Sequence, residues 1–135
     1  MNISILELNS LEIDDNEIEV FLKKFTNSNL EMLDLILYFS SFNSEIEELV
    51  NRVKKIRKKI QVENSIKNSN VRIFQRFSQL NIKELNLIIG LLDEAEFCAS
   101  SDSRYSSEAN YLNYLKSAAE KELEKKHNKQ KILTN

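Results

Sequence analysis

Apolar positions recur at helical spacing along nearly the whole chain. Ile18, Phe21, Phe25, Met32, Leu35, Phe39, Phe42, Ile46, Leu49, Val53, Ile56 and Ile60 follow alternating steps of three and four, with only Ser28 interrupting. That is the a/d spacing of a coiled-coil seam, sustained over about six repeats. Neither Gly nor Pro lies between residues 14 and 62. The segment is compatible with one long helix or with two or three helices in register.

Local punctuation favours several helices. Asp14 and Asp15 offer an N-cap before Ile18. Ser28 with Glu31, and Ser44 with Glu47, have the spacing of a capping box, which restarts a helix by satisfying its free N–H groups. Residues 30–39 are apolar on most sides, since Leu30, Leu33, Ile36 and Leu37 join the a/d positions. A helix of that kind is buried in a bundle or covered by a partner.

The rest of the chain alternates polar connections with helical stripes. Residues 61–70 are polar and predict a connection. Val71, Phe74 and Phe77 predict a short helix. Asn81 or Ser78 caps a further helix carrying Leu85, Ile88, Leu92, Ala95 and Ala99. Gly90 inside it costs about 1 kcal/mol relative to Ala. Residues 100–107 predict a second loop, with Ser106 or Ser107 capping a last helix on Leu112, Leu115, Ala119 and Leu123. Residues 1–13 read equally as an extended arm or a short helix, and the tail from 127 to 135 is expected to fray.

Composition narrows the fold class. With no Pro and one Gly among 135 residues, the tight turns of sheet proteins lack their usual residues. The expectation is a single all-α domain, a bundle of about four to five helices. A long coiled-coil-like helix or hairpin within it stays open. The longest apolar run, residues 87–92, is far short of the roughly 20 residues of a membrane helix. The first basic residue is Lys23, which does not fit an ordinary secretory signal. Cys98 is the one cysteine. A cytoplasmic protein without membrane association is expected.

Charge is unevenly laid out. Residues 1–48 carry a net −9 and residues 49–89 a net +8, although the whole chain is at −2. These blocks can neutralise each other within one fold, or steer self-association or a charged partner.

Candidate chemistry is thin. His127, the single histidine, lies in a lysine-rich terminal stretch, where a general base would lack a fixed position. Cys98 lacks a neighbouring histidine or cationic site to activate it. One Cys and one remote His do not furnish the four ligands of a zinc site, and no Gly-rich phosphate loop occurs. No catalytic residue, metal or cofactor is therefore expected. Arg104 and Tyr105 are the least implausible exposed catalytic candidates.

Two binding surfaces remain. Met32, Leu35, Phe39 and Phe42 form an apolar helix face suited to receiving another protein's helix. This favours a non-enzymatic interaction protein, such as an adaptor, an export or secretion-type chaperone or a regulatory inhibitor, and a dimer is expected. The alternative is a nucleic-acid-associated protein using Arg52, Lys54, Lys55, Lys58 and Lys59 with Arg72 and Arg76. Against it, those charges occupy every non-core direction of a helix, and no aromatic lies between Phe42 and Phe74 for base stacking.

Overall fold

A computed structural model describes residues 5–60 and 71–134, with side chains described over 7–60 and 71–130. The predicted connection at 61–70 lies outside the described residues. Among the described residues six α-helices run in chain order: α1 (Ile5–Asn9), α2 (Asp15–Leu22), α3 (Asn27–Ser40), α4 (Glu47–Lys59), α5 (Ile82–Ser100) and α6 (Ser106–Thr134). Short 3₁₀ turns cover Ser44–Ile46, Ile73–Gln79 and Ser103–Tyr105. The described residues contain no strand, so the fold is all-α. None of their helices is long and apolar enough to cross a membrane.

The segment from Ile18 to Ile60 is three helices. Asp14 starts α2 with a full capping box to Glu17. Thr26, not Ser28, caps α3: its hydroxyl accepts the Asn29 N–H at 3.1 Å, and Asn29 Oδ1 accepts the Thr26 N–H at 3.2 Å. Asn side chains serve this role as Glu does, which the search for Ser-x-x-Glu passes over. Asn43, not Ser44, caps the next turn, a 3₁₀ turn that tightens into α4. Asn81 starts α5 with a box to Glu84, as expected. The short helix predicted from Val71, Phe74 and Phe77 is wound as 3₁₀ helix, over Ile73–Gln79. α6 begins at Ser106 and continues through exposed His127 to Thr134, so the backbone past His127 is helical.

The breaks at 23–26 and 41–46 reset the helical phase. In α2 and α4 the a/d residues Ile18, Phe21, Leu49 and Val53 are buried, as the seam requires. In α3 the core face is instead Leu30, Leu33, Ile36 and Leu37, with Asn29 and Ser40. Of the seam residues there, Met32 and Leu35 are rotated off it, whereas Phe39 stays buried. Met32 and Leu35 are half-buried, Phe39 is 2% exposed at the margin, and Phe42 is 63% exposed.

At the centre stands α5. Leu85, Leu87, Ile88, Ile89, Gly90, Leu91, Leu92, Ala95 and Ala99 are all buried on it, which leaves it apolar almost all round. It packs most extensively against α6 and next against α3, with α1 near one end. Each large aliphatic side chain so enclosed contributes on the order of 1.5–3 kcal/mol.

The buried carboxylates of α5 are paired. Glu84, 3% exposed at its side chain, accepts from Lys24 Nζ at 2.6 Å and from the Asn81 N–H at 2.8 Å. Glu94 accepts from Asn43 Nδ2 at 2.6 Å, tying the end of α3 to α5. Lys116 lies between Asp93 at 3.1 Å and Glu96 at 2.9 Å. The acidic first third and the basic middle also meet within the chain. Asp15 pairs with Arg52, Asp34 with Arg57, and Glu17 with Lys83.

Candidate partner-binding surface

α3 and α6 both pack on α5, and side chains from α3 and from the segment that opens α6 meet along its margin. Near the C-terminal end of α3, the Phe39 and Tyr105 rings meet edge to face at 5.1 Å. Near its N-terminal end, Met32 and Tyr111 line one open cleft of about 440 Å³ together with Ser28, Asn29, Val71, Arg72 and Ile73. Rings continue the line in both directions. Tyr38 packs edge-on against Phe39 at 5.3 Å and against Phe42 at 5.2 Å. Tyr111 stacks with Tyr114 at 6.2 Å, and Tyr114 meets Phe74 at 5.6 Å. From Met32 to Phe39 the strip extends about 10 Å along α3, at 1.5 Å per residue, and Phe42 continues it in the turn beyond.

Exposure along the strip is graded. Phe39, Tyr105 and Tyr111 are partly or wholly covered, whereas Tyr38 is 47% and Phe42 63% exposed. Of the four residues predicted as a partner face, Met32, Leu35 and buried Phe39 lie on one side of α3, and Phe42 is exposed in the turn that follows it. Tyr38, Tyr105, Tyr111 and Tyr114 were not part of the face predicted from the sequence, where Tyr105 stood only as a catalytic candidate. The first lies outside the a/d frame. Tyr105 lies in the 3₁₀ turn before α6 and Tyr111 and Tyr114 on α6 itself, remote in sequence, and only the common packing of α3 and α6 on α5 brings them near. Phe97, 73% exposed on α5, joins the strip through no ring contact among the described residues.

A single charged unit borders the strip. Asp102 caps the 3₁₀ turn through its bond from the Arg104 N–H at 2.9 Å, and its carboxylate binds the Arg104 guanidinium at 2.7 Å. The guanidinium also lies 5.5 Å over the Tyr105 ring. The Arg104 side chain first, and its backbone N–H second, hold the Asp102 carboxyl below the usual carboxylate range. Arg104 is held more firmly charged in return. Its donors are turned to Asp102 and Tyr105, which orders the turn entering α6. Cys98 is half-buried at the end of α5; burial first, then the Glu94 charge, push its thiol above the ordinary value of 9.0.

The basic residues predicted as the alternative surface separate into two kinds. Arg52 binds Asp15 and the Ile13 carbonyl, Arg57 binds Asp34, and Arg76 Nε donates to the Lys24 carbonyl at 2.7 Å. These serve the fold. Lys54, Lys55, Lys58 and Lys59 meet no carboxylate among the described residues. Arg72 lines the Met32–Tyr111 cleft. Met32 and Asp34 are about 200° apart around α3, so Arg72 and the α4 residues that reach Asp34 lie on opposite flanks of that helix.

Among the described residues, no group of three or more His, Cys, Asp or Glu side chains is placed to hold a metal ion. No family model, no curated protein and no solved structure matches this chain.

Proposed function

We propose that this chain is a non-enzymatic interaction protein that docks another protein along the strip between α3 and α6. The observation that carries the reading is the ring series Phe42–Tyr38–Phe39–Tyr105, in which exposed aromatics rest on buried ones. Aromatic side chains are enriched at interface centres because they offer a large contact area at small entropic cost. A series anchored at one margin is already ordered, so a partner binding there has fewer rotamers to fix. An adaptor, a chaperone of secretion type and a regulatory inhibitor would all use such a surface. The ordered Asp102–Arg104 unit and the protonated Cys98 thiol support a binding role over a catalytic one.

Affinity capture from the native host tests the reading, with wild type compared against Tyr38→Ser/Phe42→Ser and against Val20→Ser, which alters an exposed apolar residue on α2. The expected result is at least one protein retained by wild type and Val20→Ser and reduced tenfold or more by the double variant. Identical capture by all three would reject the strip. If sedimentation shows a wild-type dimer that the double variant breaks, the partner is a second copy.

A further inference from the structure

We infer that the outer face of α4 is a second, independent docking face, for the phosphate backbone of a nucleic-acid duplex, read without regard to sequence. The six bases of the run 52–59 are divided by the fold: the arginines point into internal ion pairs, and the four lysines are left over. Lys54 and Lys58 form one i,i+4 row and Lys55 and Lys59 the next. At 100° per residue the four lie within an arc of about 140°, opposite the buried Val53. The solvated helix expected from sequence, with charge in every direction, is therefore a one-sided cationic face once Arg52 and Arg57 are occupied.

Its lack of apolar groups chooses the occupant. Glu47, Glu48, Asn51 and the four lysines make up this face, with no apolar residue among them. A protein interface needs a dehydrated apolar centre, and a membrane-surface helix needs an apolar face to insert. A duplex needs neither, because neutralising its phosphates releases condensed counterions. Lysines are point charges that do not read base edges in bidentate fashion. Single strands are disfavoured, since no ring stands on this face to stack a base. Glu47 and Glu48 repel phosphate and confine contact to the C-terminal half, where neighbouring lysines repel one another and an anion relieves that crowding.

The test is duplex binding followed by fluorescence anisotropy with a random-sequence DNA of about 20 base pairs, from 50 to 200 mM salt. With three to four phosphates neutralised, affinity is expected to fall about 40- to 150-fold over that range. The variant Lys54→Gln/Lys55→Gln/Lys58→Gln/Lys59→Gln should bind at least tenfold more weakly at 50 mM and show a flatter salt slope. A control with the same charge change, Lys23→Gln/Lys121→Gln/Lys125→Gln/Lys129→Gln, should stay within threefold of wild type. Circular dichroism confirms that both variants remain folded. Equal losses in the two variants, or no duplex binding at 50 mM, overturn the inference. So does competition by polyglutamate as strong as that by unlabelled DNA, which would assign the face to an acidic protein.

Discussion

α3 and α5 look alike in sequence, each dense in large apolar residues, and the fold treats them differently. α5 is enclosed on nearly every side and is aliphatic there. α3 is enclosed on one face by aliphatic residues and carries its rings at the margin and outside. Aliphatic side chains gain from enclosure alone. Rings, with polar edges and for Tyr a hydroxyl, tolerate a half-wet boundary and remain available for contact. What distinguishes the enclosed helix from the proposed docking helix is which apolar residues are used, rather than how many.

The difference can be tested by truncation. Leu92→Ala in α5 should cost about 3 kcal/mol in urea denaturation, because an enclosed site collapses poorly around a cavity; a loss below about 1 kcal/mol would mean α5 is not the enclosed centre. Glu84→Ala should cost about 2 kcal/mol, since it strands the ammonium of Lys24 and removes half of the α5 capping box. Lys116→Met should cost about 1 kcal/mol at neutral pH by leaving Asp93 and Glu96 facing each other. Phe42→Ala should change stability by less than about 0.5 kcal/mol, as for a surface site, while abolishing partner capture. A large stability loss there would make Phe42 part of the core and erase the contrast with α5.

Alkaline pH adds a weaker probe of the same end of α5. Burial opposes the charge of Lys116, but its bonds to Glu96 and Asp93 prevail and raise its folded value above 10.5. Its contribution is full below the ordinary lysine value and is lost as pH rises through the folded one. The Cys98 thiol is also raised, so the unfolded chain releases that proton first and stability declines from about pH 9 upward. Urea midpoints between pH 8 and 11 should fall, and Cys98→Ala should delay the onset of the decline. A flat profile would place both groups in open solvent.

Much of the architecture was legible from the sequence. The scarcity of Gly and Pro gave the all-helical class. The Leu85–Ala99 stripe gave α5, and Asp14 and Asn81 marked true helix starts. The a/d series located α2 and α4 but misplaced the buried face of α3, because two short breaks rotate that helix and a linear frame carries no record of rotation. Met32, Leu35, Phe39 and Phe42 were identifiable as an apolar face. Its continuation through Tyr105, Tyr111 and Tyr114 was not, since it depends on packing between segments about seventy residues apart. Likewise the run at 52–59 was visible as charge, but the separation of its arginines from its lysines required knowing where Asp15 and Asp34 come to rest.

The turn at Ser103–Tyr105 bears on the order of assembly. α5 and α6, the most extensively packed pair, are joined by only a few residues, so closing them against each other loses little chain entropy. Contacts so local form early, and α1 to α4 must then be recruited across longer loops. Damage to the α5–α6 hairpin is expected to slow folding itself. Damage in α2 or α4 is expected chiefly to hasten unfolding, so the two halves of the chain govern opposite limbs of the kinetics.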